Sequence, residues 1–233
     1  MQKLEGEYKE KGKYHQELDR NWKYLPVYLV KMKVIEGILR KFSHSKILDA
    51  GCGEGILVEK YRSKGFDITG FDFNYSSKYV KNGDIRAIPF KNQEFGVVLC
   101  LDVLEHINLS DQEKAIDELI RVTKNKGVII FGLPNLAHFV SRISFLLTGH
   151  LLRTSAAERH IGDRPINEFI NLLRLKKLII TQRIGLFPTF PLISLWTKYS
   201  PSSSIFLHRI YNKIFRFPGL CFENIIVTNK FSQ

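Results

Sequence analysis

The run Ile47-Leu48-Asp49-Ala50-Gly51-Cys52-Gly53-Glu54-Gly55 holds the residues best suited to chemistry in this chain. A short apolar segment ends in an acid, and three glycines spaced GxGxG follow. Glycine lets the backbone turn sharply and lets a ligand approach where a Cβ would stand. A helix that begins just beyond offers free N–H groups and a positive dipole end to a carboxylate. The dinucleotide pattern GxGxxG would need its third glycine one position later, so a pyrophosphate is not the expected guest. Asp49 beside the glycines suits an ammonium group. The expected ligand therefore carries an ammonium and a carboxylate together.

Two further acids follow in order. Asp72 closes a second apolar run over 67–71 and lies 23 residues beyond Asp49, the position from which a carboxylate holds a ribose diol. In Gly83-Asp84-Ile85, Asp84 is placed to accept a hydrogen bond from an exocyclic adenine amine, with Ile85 against the ring. Cys52 in the glycine loop, Phe73 beside Asp72, and Leu101 and Asp102 at the end of a later apolar run complete the expected lining. Each feature has a plainer reading: a glycine turn is often only a tight turn, and a lone acid is often a turn residue or a helix cap. The order and spacing of the whole set favour one ligand with an amino-acid end and a nucleoside end. S-adenosylmethionine has both.

The elements that must position these residues alternate between strand and helix. Strands are expected at Lys46–Ala50, Asp67–Phe71, Ile85–Ile88 and Phe95–Leu101, the last apolar enough to be buried on both faces. A helix over Leu25–Phe42 precedes them, and another runs from the Gly51–Gly55 loop through Tyr61. Ser110 and Glu113 have the spacing of a capping box, predicting a helix that presents Ile116, Leu119, Ile120 and Thr123 and ends at Lys126-Gly127 before a strand at Val128–Phe131. Such alternation argues for a parallel sheet. Beyond Pro134 the reading is a helical stretch over Leu136–Leu147 and a polar loop over Leu151–Arg164. A helix from Pro165 to Leu175 and strands at Leu178–Ile184 and Phe222–Thr228 complete it. The expectation is one domain over 1–233, with an N-terminal helical segment (1–42), a cofactor half (43–135) and a substrate half (136–233).

The segment 47–135 resembles the class I S-adenosylmethionine-dependent methyltransferases, especially the branch of ubiquinone-biosynthesis and small-molecule O-methyltransferases. The likeness rests on LDAGCGEG at 48–55, GFDF at 70–73, GDIRAIPF at 83–90, FGVVLCLDVLEHI at 95–107 and RVTKNKGVIIFGLPN at 121–135. It implies a doubly wound, seven-stranded, mostly parallel sheet with its last strand reversed. It also implies S-adenosylmethionine as cofactor, with S-adenosylhomocysteine as product. Asp49, Gly51 and Gly53 would hold the methionine end, Asp72 the ribose and Asp84 the adenine. Past Asn135 the likeness is one of outline only, so it assigns no acceptor contact.

Methyl transfer from a sulfonium is an in-line displacement that needs mainly alignment, and an oxygen acceptor also needs a base. His106, at the carboxyl end of the strand over 95–101, and His160, in the loop after the helix over 136–147, are the candidates. Either is also readable as a capping or packing residue. An Asn/Asp-Pro-Pro-aromatic run, expected of base-amine methylation, is replaced here by Leu101-Asp102-Val103-Leu104, and Cys100 follows Leu99 rather than a proline. Base methylation is disfavoured. No metal site is expected, because the three cysteines form no CxxC pair.

Composition sets the remaining bounds. The 233 residues are 44% hydrophobic and 25% charged, which describes a folded globular protein. The charged N-terminus lacks the apolar core of a signal peptide, so a cytoplasmic and reducing setting is expected. Lys and Arg number 22 against 19 acids up to Asn135, but 13 against 4 beyond it. That basic excess suits an acidic partner such as an anionic lipid, a phosphorylated substrate or nucleic acid, and equally a solvated surface. The stretch 185–220 mixes aromatics with Lys and Arg. It is readable as a pocket wall for a bulky or lipid-like acceptor, a peripheral membrane contact, a nucleic-acid surface, or extra core. Three functions remain open: O-methylation of a small molecule or of a lipid or glycan precursor, RNA methylation through the basic C-terminal half, and cofactor binding as a non-catalytic partner subunit.

Overall fold

The computed structural model describes residues 19–152 and 160–231. The expected opening segment to Gln16 and the centre of the 151–164 loop lie outside them. Seven strands, β1 (Ile47–Ala50), β2 (Ile68–Asp72), β3 (Val80–Asn82), β4 (Phe95–Leu101), β5 (Thr123–Pro134), β6 (Leu178–Pro188) and β7 (Cys221–Lys230), form one sheet in the order β3-β2-β1-β4-β5-β7-β6. The first five are parallel, and β7 runs antiparallel to both β5 and β6. This is the doubly wound architecture with a reversed last strand.

Seven helices accompany the strands among the described residues: α1 (Leu25–Leu39), α2 (Ile56–Arg62), α3 (Leu109–Val122), α4 (Phe139–Thr148), α5 (Ile166–Leu175), α6 (Pro191–Tyr199) and α7 (Pro201–Ile214). Successive strand residues face opposite sides, so β4 sends Val98 to one core and Val97 and Leu99 to the other. Against Val98, Ile129 and Phe131 pack Ile116 and Leu119 of α3 and Phe169 of α5. Against Val97, Leu99 and Ile130 pack Ile35 and Leu39 of α1 and Val58 and Tyr61 of α2. Both faces of the sheet are thereby covered, as a parallel sheet requires.

Three local expectations are corrected. The third strand is Val80–Asn82, because its backbone meets β2, with Asn82 also donating to Asp72 O (3.1 Å). Ile85–Ile88 instead turns, with Ala87 N donating to Asp84 O (2.9 Å), and buries both isoleucines from that turn. Helix α3 starts at Leu109 after Asn108, so Ser110 is not its cap, and Glu113 reaches Lys176 (3.1 Å) rather than the helix start. The helix ends at Val122. Thr123 already pairs with Phe95, and the 124–127 segment bulges before pairing resumes at Val128, so Lys126-Gly127 interrupts a strand rather than stopping a helix.

From β1 the chain winds outward through β2 and β3 on one side and through β4 and β5 on the other. A crevice therefore opens at the carboxyl ends of β1 and β4, where doubly wound sheets receive ligands. The register pairs Pro134 with Glu223 and Pro188 with Cys221, so the end of β6 and the start of β7 lie at this same edge. Helices α4, α6 and α7 follow from those strand ends.

Candidate functional site

At that edge lies a cleft of about 780 Å³. Its lining includes Asp49, Gly51, Cys52, Gly53, Asp72, Phe73, Asp84, Ile85, Leu101, Asp102, His106 and His160. All twelve residues singled out by sequence therefore border one space.

The glycine loop is shaped by conformations open chiefly to glycine. Gly51, Gly53 and Gly55 have φ of 81°, 54° and 73°, and a Cβ on Gly51 would stand 2.1 Å from Val103 Cγ2. Gly51 N donates to Phe71 O (2.7 Å), tying the loop to β2, and Gly53 N donates to Asp72 Oδ2 (2.8 Å). Asn74 N donates to Asp72 Oδ1 (2.8 Å). Burial raises the Asp72 carboxyl, and the backbone donors of Asn74, Gly53 and Tyr75 oppose that rise. Asp49 is more extreme: burial, then the charge of Asp72, pushes it up to about 7. Among the described residues no Lys or Arg pairs with it, so an incoming ammonium would be its counter-ion.

Asp84 is held differently. Both its oxygens accept from the Arg86 guanidinium, which keeps its carboxyl below the usual range. Arg86 also donates to Asp111 (2.7 Å). Any adenine amine at Asp84 would share a carboxylate already engaged by arginine. Cys52 and Cys100 are pushed up by burial and stay thiols, which fits lining and core rather than nucleophiles.

The opposite end of the cleft holds groups that sequence reasoning missed. Lys31, buried on α1, contacts Asp102 and lies 3.9 Å from Glu223 Oε1. Burial alone would lower this lysine, but Asp102 and Glu223 outweigh it and raise it. Burial also raises Asp102, yet Lys31 holds it low. Glu105 and Glu223 are pushed well up, first by burial and then by the charge of Asp102. Asp102 sits at φ 54°, an uncommon backbone for a non-glycine residue. Gln112, also missed, donates from Nε2 to Leu104 O (2.7 Å) and Gly162 O (2.9 Å). It thereby fastens the turn bearing His106 to the segment bearing His160, whose rings meet edge-on at 4.8 Å. Trp22, Tyr24, Tyr28 and Phe222 add an aromatic wall. The available signal was a charged residue inside an apolar element, Lys31 in α1 and Glu223 in β7.

A model of the methyltransferase domain matches residues 18–179. The chain belongs to this methyltransferase domain family. The buried Asp49, beside a left-handed glycine loop and paired with no Lys or Arg among the described residues, fits the ammonium of an S-adenosylmethionine ligand. The chain is 32% identical over 138 residues to a malonyl-[acyl-carrier protein] O-methyltransferase of Erwinia pyrifoliae, covering 54% of this chain and 47% of that protein. It is 28% identical over 181 residues to the mitochondrial ubiquinone biosynthesis O-methyltransferase of Schizosaccharomyces pombe, covering 70% and 65%. The chain spans about half the length of the curated relatives it matches. A solved Thermotoga maritima S-adenosylmethionine-dependent methyltransferase shares the fold, with a TM-score of 0.61 over 96% of this chain and 99% of that one, at 16% identity.

Proposed function

We propose that this protein transfers a methyl group from S-adenosylmethionine to an oxygen of a small molecule, with a lipid-like or amphipathic precursor as acceptor. The observation that carries this reading is the shared cleft: the glycine loop, Asp49, Asp72 and two histidines all border it. When bound, the cofactor supplies a methyl carbon on a positively charged sulfur and leaves as S-adenosylhomocysteine.

In this reading Asp49 takes the ligand ammonium and the glycine-loop N–H groups take its carboxylate. Asp72 exchanges its present backbone donors for the ribose hydroxyls. Ile85 and Phe73 flank the adenine, while Leu101 and Asp102 close the floor. His106 and His160 stand at the acceptor end, beside the hydroxyl that must lose its proton. Lys31 and Gln112 are positioning residues, the first fixing Asp102 and the second fixing the histidine-bearing turns.

The surface of the helices that follow from this sheet edge supports the acceptor class. Residues 185–220 contain no Asp or Glu but carry Lys198, Arg209, Lys213 and Arg216. Leu146 (84% exposed), Leu192 (82%) and Tyr199 (76%) on α4 and α6 stand open to solvent. An apolar, cationic rim suits an anionic amphiphile or a membrane surface from which one is drawn. No described helix is long and apolar enough to cross a membrane.

The test is transfer of a radiolabelled methyl group from the cofactor into fractionated cell extract. Label in the lipid or small-molecule pool, in ester or ether linkage, is the expected result. Label confined to RNA would overturn the acceptor class, and cofactor binding without label in any pool would favour a non-catalytic subunit.

A further inference from the structure

Glu105, His106 and His160 converge more closely than a shared cleft requires. A carboxylate oxygen of Glu105 and one ring nitrogen from each histidine all lie within 4.8 Å of one another. Ligands on opposite sides of one ion stand about 4.2 Å apart at the usual metal–nitrogen distance. At most one pair of three ligands can stand opposite each other, so side-chain rotations that move each atom by up to about an ångström would bring the three around one ion.

Three independent features favour such a use. Glu105 is buried, only 3% exposed, yet its Oε2 has no hydrogen-bond partner among the described residues. An unsatisfied buried carboxylate oxygen is costly unless something supplies it with a proton or a cation. Asp163 Oδ1 lies 3.1 Å from Nδ1 of His160, the arrangement in which a histidine is held so that its other nitrogen can serve a metal. Lastly, Asp102, Glu105 and Glu223 bring three carboxyl groups near the ammonium of Lys31, the one lysine that pairs with any of them among the described residues.

We propose that Glu105, His106 and His160 bind one divalent transition-metal ion at the acceptor end of the cleft. Two imidazoles and one carboxylate suit manganese, iron, cobalt or zinc better than calcium or magnesium. Three protein ligands leave coordination positions open. An acceptor hydroxyl bound there would lose its proton to solvent near neutral pH, because the metal stabilises the resulting alkoxide or phenolate. The oxygen would then attack the methyl carbon as an anion, with the two imidazoles acting as ligands rather than as free bases. That use deepens the proposed methyl transfer and rests on it. The binding site stands on the three side chains alone.

The experiment titrates the full chain, freed of metal by chelation, with Co²⁺ and follows visible absorption. Calorimetry with S-adenosylhomocysteine is run on the same samples. One Co²⁺ per chain is expected. His160→Ala and Glu105→Gln should each weaken it by at least about tenfold, the loss typical when a ligand or its support is removed, while S-adenosylhomocysteine binding changes less than threefold. Retained S-adenosylhomocysteine binding, or an unchanged melting temperature where that ligand does not bind, shows that a variant is folded. No saturable Co²⁺ binding by the folded wild type overturns the site, as does Co²⁺ binding equally tight in both variants. Co²⁺ binding that depends on these residues without any S-adenosylhomocysteine binding would leave the metal site standing and remove the cofactor reading.

Discussion

The cofactor half and the C-terminal half build their functional surfaces in opposite ways. Near the cofactor loop, nine consecutive residues supply the strand end, the acid and three left-handed glycines, and the fold adds Asp72 from the neighbouring strand. The C-terminal half works by pairing residues far apart in sequence. His138 Nδ1 meets Thr189 Oγ1 (2.9 Å), Arg142 donates to Gly219 O (2.8 Å), and Thr197 meets the imidazole of His208 (2.8 Å). Local geometry shapes the first region. The second is a scaffold held by contacts between segments separated in sequence.

The largest effect should come where the two halves share a core. Phe131 of β5 packs edge-on against Phe169 of α5 at 5.5 Å. Phe131→Ala should cost about 3–5 kcal/mol in urea unfolding. A loss confined to the C-terminal half would mean that the halves unfold separately and would break the comparison.

Next is the glycine loop. Gly51→Val meets both a left-handed backbone and the Val103 side chain. Strain of about 1–3 kcal/mol should weaken S-adenosylhomocysteine binding by up to about a hundredfold, read by calorimetry. Near-normal affinity would show that the loop does not shape the ligand site.

The two regions should also respond to pH in opposite senses. Asp49 is raised to about 7, so its contribution to the stability of the ligand-free protein is present in acid and lost as pH rises from about 4 toward 7. His138 and His208 are lowered to about 4 by burial, so their contribution is present above about 6.5 and lost as pH falls toward 4. A ligand ammonium requires ionised Asp49, so S-adenosylhomocysteine affinity should rise roughly tenfold between pH 6 and 8. Asp49→Asn should flatten that rise, and a wild-type affinity independent of pH would contradict it.

The smallest effect on folding belongs to the rim. Leu146→Ser at a position 84% exposed should change stability by less than about 0.5 kcal/mol. It should nonetheless reduce sedimentation with anionic vesicles if that rim meets a membrane. Unchanged sedimentation would move the apolar surface to another role.

What the sequence revealed follows the same division. The strand at Phe95–Leu101 and the glycine turn were legible because burial on both faces and the need for glycine are local properties. Val80–Asn82 was not, since Lys81 and Asn82 are exposed and the segment is a strand only through its pairing with β2. Helices α6 and α7 were legible as an aromatic and basic stretch but not as helices. Their exposed Leu192, Tyr199 and Phe206 blur the helical periodicity that burial would sharpen. Lys31, Glu223 and Gln112 escaped because each acts across a distance of chain that no spacing rule encodes. The pairing of His106 with His160 likewise rests on two turns joined by Gln112 and by Gly162 N donating to Glu105 O.

The central claim is that Asp49, the glycine loop and Asp72 hold an S-adenosyl ligand, and calorimetry of S-adenosylhomocysteine with wild type and Asp72→Ala tests it most directly. The account predicts one ligand per chain for wild type and at least a tenfold loss for a folded Asp72→Ala variant, about 1.4 kcal/mol or more. Equal affinity in the two proteins, or no binding by the folded wild type, would contradict it.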